Sequence, residues 1–322
     1  VIDSPLLYDG RLERARLHPL LAALLGLVMA FVLFQGISTI TALVLIVFVR
    51  DVGLDVLLTD LPAVLEQHAG DLIIGNTVGQ VFGLLLPGLW FARLHSSTWP
   101  AFLRLRGTDV RFVLLSLLGL LAVIPVVQVL GSWSDVLPWP ESIRAFEKQQ
   151  MDLIERILMR DFPLAFSISM LALTPAICEE VLFRGYVQRQ AERGLGIFWG
   201  IAFSGIVFGL YHLRLTQALP LSVLGIFLAW ITWRSGSLVP AILVHLANNA
   251  LAAILGKMSA TGRLETDLET FQMPMSIFFV SLVILVVVIL AMNRMQPSST
   301  ESPLHAGASH GDEDHAERTE DR

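Results

Sequence analysis

The chain has 322 residues, 54% of them hydrophobic and only 16% charged, with a mean hydropathy of +0.67 and a formal net charge of −6. Soluble domains carry about 25% charged residues, so this composition excludes an ordinary soluble globule and points to an all-α polytopic membrane bundle. Much of the acidity lies after Pro297, where seven acidic residues face Arg318 and Arg322, so the net charge says little about the body of the chain.

Residues 1–17 are polar and basic, with Arg11, Arg14 and Arg16 ahead of the first apolar run at 20–49. That run is too long for the apolar region of a signal peptide and long enough for a membrane helix, which needs about 20 residues. The following loop is acidic (Asp51, Asp55, Asp60, Glu66, Asp71), and a second span at 72–91 carries Gly75, Gly79, Gly83 and Gly88, as close-packed membrane helices do. Arg93, Arg104, Arg106 and Arg111 lead into a third span at 112–130. The alternation of basic and acidic loops places the N-terminus in the cytoplasm by the positive-inside rule. The same count puts both termini there, most simply in a prokaryotic plasma membrane.

Residues 132–162 form the longest internal non-spanning segment. Ile143, Phe146, Met151, Ile154 and Leu158 recur at roughly helical spacing, predicting an amphipathic interfacial helix over 142–160. A fourth helix opens at Pro163 and runs to about Arg193, a fifth covers 197–213, and a sixth ends at Trp233. The seventh begins near Leu238, a polar loop follows over 257–270, and the eighth spans 275–292. About eight transmembrane helices are therefore expected, divided as an N-terminal segment (1–17), three spans (18–131), the interfacial loop (132–162), a second membrane core (163–296) and a tail (297–322). The tail lacks apolar periodicity and reads as disordered; His305, His310 and His315 recur in it without a metal-binding pattern.

The fourth helix carries the residues that membrane sequence least tolerates. Glu179, Glu180 and Arg184 lie in apolar sequence, where a mid-bilayer charge costs about 2.5–3.5 kcal/mol on insertion scales and survives mainly for function. At about 100° per residue, Glu180 and Arg184 share a face as an i,i+4 ion pair, leaving Glu179 free. Pro175 deprives the Leu171 carbonyl of its helical donor. The single cysteine, Cys178, precludes an intrachain disulfide, and its apolar flank suits packing rather than nucleophilic attack.

Counting from a hairpin tip at Leu195, Glu179 and His212 both stand about 24–26 Å away, at one level. His245 and Asn249, counted from the Ser235–Ser237 turn, stand only about 12–20 Å up. His245 and Asn249 share one helix face, as do Phe208 and His212.

In order, the chain reads Glu179-Glu180-Val-Leu-Phe-Arg184, Phe208-Gly-Leu-Tyr-His212 and His245-Leu-Ala-Asn-Asn249. This series resembles the CAAX-processing and bacteriocin-processing (CPBP) intramembrane proteases, which include the type II CAAX prenyl endopeptidases; the resemblance covers about 165–255. Amide hydrolysis needs an activated water, an oxyanion partner and a proton for the leaving amine. Glu179 suits the general base, His212 can share its water, and His245 and Asn249 can donate to the oxyanion. Glu180–Arg184 then fixes the helix, with Phe208 in support, and the resemblance implies the same assignment. No cofactor is needed on this reading. The alternative is a zinc site of Glu179, His212 and His245, two imidazoles and a carboxylate with an open position, although the metalloprotease signature H-E-x-x-H is absent. An ion-coupled transporter and a non-catalytic scaffold or immunity protein are the remaining alternatives; there is no internal repeat of the kind many carriers show. The expected partners are membrane lipid and a membrane-associated protein or peptide substrate, prenylated or not, with no nucleic acid.

Overall fold

Apolar runs of about 20 residues become helices in a bilayer because every backbone polar group must be satisfied within the segment. The computed structural model describes residues 5–160, 162–263 and 273–295, and among them helix is the only regular secondary structure. The expected tail at 297–322, its three histidines and most of the polar loop after Arg263 lie outside the described residues.

The helices are α1 Arg11–Arg14, α2 Pro19–Val49, α3 Leu54–Thr59, α4 Leu61–Gln67, α5 Ala69–His95, α6 Trp99–Phe102 and α7 Val110–Asp135. They continue as α8 Glu141–Met159, α9 Leu164–Leu195, α10 Ile197–Tyr211, α11 Leu215–Ser235, α12 Val239–Ala260 and α13 Met275–Arg294. Among the described residues, seven are long and apolar enough to cross a membrane: α2, α5, α7, α9, α11, α12 and α13. The expected fifth span is shorter than its apolar run. α10 has 15 residues, about 22 Å at 1.5 Å per residue against an apolar thickness of about 30 Å. It stops at Tyr211 because Leu213 turns the chain with φ 55°. The protein is an integral multi-pass all-α bundle.

Two of the long helices absorb a proline in the same way. π-helical turns at Gln80–Leu85 and Ser169–Leu173 stand just before Pro87 and Pro175. Each contains the carbonyl four residues before its proline, which has no N–H to bond it, so the wider π turn takes up the local mismatch. Thr174 Oγ1 also donates to the Ser169 carbonyl at 2.9 Å.

Close approach of backbones sets the packing, since lipid supplies no hydrophobic drive between helices. A Cβ at Gly83 of α5 would lie 2.4 Å from the Phe34 backbone of α2, and one at Gly205 of α10 would lie 2.4 Å from Ile226 N of α11. α9 runs through the centre, with every residue from 180 to 191 buried. Leu27, Leu84, Phe102 and Phe208 pack around its Leu182 and Phe183; a second core joins Phe112, Leu120 and Val123 to Phe227, Ile231 and Val288. Large apolar side chains such as Phe48, Leu121 and Val283 are exposed, as lipid-facing residues are.

The interfacial helix forms where expected, over Glu141–Met159. Phe146 and Ile154 are exposed, and among its described side chains the buried one is Glu147. The carboxylate is turned inward by donors on α11, described below. At one end of the bundle, Glu13 of α1 holds Arg193 of α9, and Arg234 of α11 reaches the Asn293 carbonyl of α13 at 3.0 Å.

Candidate active site

The two adjacent carboxylates of α9 have different fates. Glu180 and Arg184 are fully buried, and Arg184 Nη1 donates to Glu180 Oε1 at 2.8 Å. The other terminal nitrogen, Nη2, reaches the Gly225 carbonyl of α11 at 3.2 Å, and the guanidinium lies 4.2 Å from the centroid of the Phe208 ring. A desolvated cation over an aromatic face gains about 2 kcal/mol or more, which supports a charge that neither water nor headgroups reach.

His245 of α12 completes this arrangement. Its Nδ1 donates to the same Glu180 Oε1 at 2.8 Å. Its Nε2 lies 3.9 Å from Glu179 Oε2, beyond hydrogen-bond range. Glu179 is 15% exposed, and its Oε2 is buried without a hydrogen-bond partner.

The level mismatch inferred for α12 disappears because that helix does not start at the hairpin tip. Leu238 packs at Gly185, where a Cβ would lie 3.5 Å from Leu238 Cδ1, and its N–H donates to the Arg104 carbonyl at 3.1 Å. From that level, His245 is seven residues along α12 and Glu180 five residues back along α9, roughly 10 and 8 Å.

Phe208 is the hub. Its ring stands edge-on to His212 (centroids 4.8 Å), to His245 (5.7 Å) and to Phe183 (5.3 Å). His212 follows the last residue of α10 and is exposed; its Nδ1 donates to the Phe208 carbonyl at 2.8 Å, which leaves Nε2 for another partner. Asn249 Oδ1 accepts from Asn248 Nδ2 at 3.3 Å, which leaves its own amide N–H groups for another partner.

The structure thus gathers Glu179, Glu180, Arg184, Phe208 and His245 directly, with His212 joined through Phe208 and Asn249 one turn beyond His245. Tyr211 was not singled out in the sequence. Its hydroxyl is buried without a partner and feels the Glu179 charge, and its ring packs edge-on against Phe183. Tyrosine beside a histidine in an apolar helix gives no sequence signal of that kind.

The alternative zinc reading asks Glu179, His212 and His245 to converge on one ion. Among the described residues, no three His, Cys, Asp or Glu side chains group closely enough to hold a metal ion. Glu179 and His245 approach each other, and His212 does not join them.

A buried carboxylate–imidazole cluster on membrane helices defines a class of site suited to hydrolysis away from bulk water. Residues 161–251 match the family model described as type II CAAX prenyl endopeptidase Rce1-like, the family that the three motifs resemble. No curated protein and no solved structure gives a significant match to the chain. The family match spans α9 to α12, the helices that carry the cluster, and supports a CAAX-type intramembrane protease in general, a hydrolase.

Proposed function

We propose that the protein is an intramembrane endopeptidase that hydrolyses a peptide bond in a membrane-associated protein or peptide, with Glu179 as the general base. The observation that carries this reading is the division between neighbouring carboxylates. Glu180 is fully buried and its Oε1 is committed to both Arg184 and His245 at 2.8 Å, while Glu179 is 15% exposed and holds neither of them in a hydrogen bond, its Oε2 unpartnered like the second oxygen of Glu180. An unpaired carboxylate oxygen beside a partly shielded space is placed to accept a proton from water.

His212 Nε2 accepts a hydrogen bond from the same water and orients it. The water attacks the scissile carbonyl carbon, its proton passes to Glu179, and the C=O becomes a tetrahedral oxyanion. Asn249 Nδ2 donates to that oxyanion, its amide oriented by Asn248. His245, anchored on Glu180 through Nδ1, turns Nε2 toward the same space, where a proton carried on it gives the oxyanion a second hydrogen bond. Glu179 returns the proton to the leaving amine as the C–N bond breaks. Glu180, Arg184 and Phe208 hold the helices that bring these groups together.

The reading fits a substrate that reaches the site from the bilayer, prenylated or unmodified. Purified protein in liposomes, given fluorogenic peptides with and without a farnesyl group, tests it. Wild-type cleavage that Glu179→Gln abolishes is the expected result, and undiminished cleavage by a folded Glu179→Gln protein overturns it.

A further inference from the structure

The interfacial helix α8 packs against α12 and reaches α11 through one buried carboxylate. Glu147 Oε2 accepts from Thr216 Oγ1 at 2.6 Å, and Oε1 accepts from the Thr216 backbone N–H at 3.2 Å. Thr216 is the second residue of α11, whose own N-cap, Arg214, makes no side-chain capping bond. A carboxylate at a helix N-terminus satisfies an otherwise orphaned N–H and meets the positive end of the helix dipole. Here a helix 69 residues earlier in the chain supplies it.

The grip falls beside the candidate site. Thr216 is four residues after His212, and Leu213 between them holds a left-handed conformation with φ 55°. A non-glycine residue persists there only where its surroundings over-determine it. His212 has one hydrogen bond of its own, to the Phe208 carbonyl within α10, so the turn from α10 into α11 sets where its imidazole stands. The other side-chain hydrogen bonds of α8 and its C-cap lie toward the two ends and reach other elements, Arg156 pairing with Glu66. Arg144 Nη2 donates to the Asp135 and Leu137 carbonyls at 3.1 and 2.8 Å, and Arg160 Nη2 to the Glu66 carbonyl at 2.9 Å.

We propose that Glu147 is a positioning residue for His212: from the interfacial helix it clasps Thr216 and so fixes the turn that presents the imidazole to the site. The inference rests on the reading of His212 as a water-orienting group. It makes α8 part of the catalytic apparatus rather than a passive cover, because lifting α8 from the membrane surface releases the turn.

The test uses full-length protein in phosphatidylethanolamine–phosphatidylglycerol liposomes and a mixed pool of farnesylated and unmodified fluorogenic peptides. Glu147→Ala and Thr216→Val are each expected to lower kcat by about 10–100-fold with KM nearly unchanged, the effect of an ångström-scale misplacement. Thr216→Ser, which keeps the hydroxyl, should retain wild-type kcat. The double variant should be no worse than either single one, as for two residues acting through one contact. Hydrogen–deuterium exchange should quicken across 211–217 in Glu147→Ala and stay unchanged in the rest of α10. If Glu147→Ala does not fold, the Thr216→Val and Thr216→Ser pair decides. Wild-type kcat and unchanged exchange across 211–217 in the affected variants overturn the proposal, as does additivity in the double variant. If no peptide is cleaved by the wild-type protein, the exchange result decides alone. His212→Ala is run beside them. Full turnover in that variant defeats the functional reading itself, whereas a dead His212→Ala with a fully active Glu147→Ala defeats only the role of Glu147.

Discussion

His245 Nδ1 and Glu180 Oε1 stand 2.8 Å apart, and the same oxygen receives Arg184. One carboxylate oxygen thus joins α12 to α9, while its neighbour Glu179 makes no hydrogen bond through Oε2. The two glutamates should therefore fail differently. Glu179→Gln is expected to fold and melt like the wild type with turnover lost. Glu180→Gln leaves Arg184 buried without its counter-charge, a loss of about 3–5 kcal/mol where one partner of a buried pair is removed. Thermal melts in detergent alongside turnover assays separate the two. A Glu180→Gln protein with wild-type stability and no activity would reverse the roles assigned to the pair.

Asn249 carries the second prediction. Its Oδ1 is held by Asn248 at 3.3 Å, which leaves its N–H groups for the oxyanion of the proposed mechanism. Losing one such donor costs about 10²–10³ in kcat, so Asn249→Ala should be folded and strongly impaired. Asn248→Ala should lose less, since it only orients the donor. Treatment with a chelator should leave wild-type activity intact. Close to one zinc per chain, lost with activity on chelation and restored with added zinc, would refute the metal-free mechanism.

The distribution of charge carries a third expectation. The arginine-rich end of the bundle joins Glu13 to Arg193, and Arg234 of the same end holds the Asn293 carbonyl at the close of α13. The acidic end joins Arg50 to Asp71 through two hydrogen bonds of 3.0 and 2.9 Å. We expect cysteines placed at positions 60 and 300 to be labelled from opposite sides of the membrane, with 300 on the cytoplasmic side. Labelling of both from one side would sink this topology.

Much of this architecture was legible in the sequence because lipid makes hydropathy decisive: a run such as 20–49 has no other stable form in a bilayer. The Glu180–Arg184 pair was legible too, since helical geometry alone puts them on one face. The bond from His245 to Glu180 was not. It depends on where α12 begins, set by Leu238 seated at Gly185, and a count of residues from the nearest turn cannot see that depth. The inward turn of Glu147 was hidden for a related reason. Periodicity marks Phe146 and Ile154 as the apolar face of α8, but a bilayer surface also accepts apolar side chains, and the donors of Thr216 draw the carboxylate inward. Tyr211 left no trace, because an unpaired hydroxyl is a property of surroundings rather than of spacing.

The last prediction concerns the clamp that ties the N-terminal segment to α9. Glu13 accepts from Arg193 Nη1 and Nη2 at 2.7 and 2.9 Å, and from His95 Nδ1 at 2.7 Å. Burial works to raise its pKa, but the hydrogen bonds from Arg193 and His95 outweigh it and hold the carboxyl below its ordinary value. Arg193 also stacks over Tyr8, 4.0 Å from the ring centroid. The folded state therefore keeps Glu13 ionised at a pH where the unfolded chain, with a glutamate pKa of about 4.3, takes up a proton. Its stabilisation is fully present above that unfolded value and is lost as pH falls through the lower folded one. Glu13→Gln should accordingly melt below the wild type at pH 7, and the gap in Tm should narrow steadily once the pH drops under about 4.3. Arg193→Gln should show the same narrowing, because it removes the other half of the clamp. A gap that stays constant from pH 7 down to the acid limit of folding would mean that the charge of Glu13 contributes nothing to holding the segment in place.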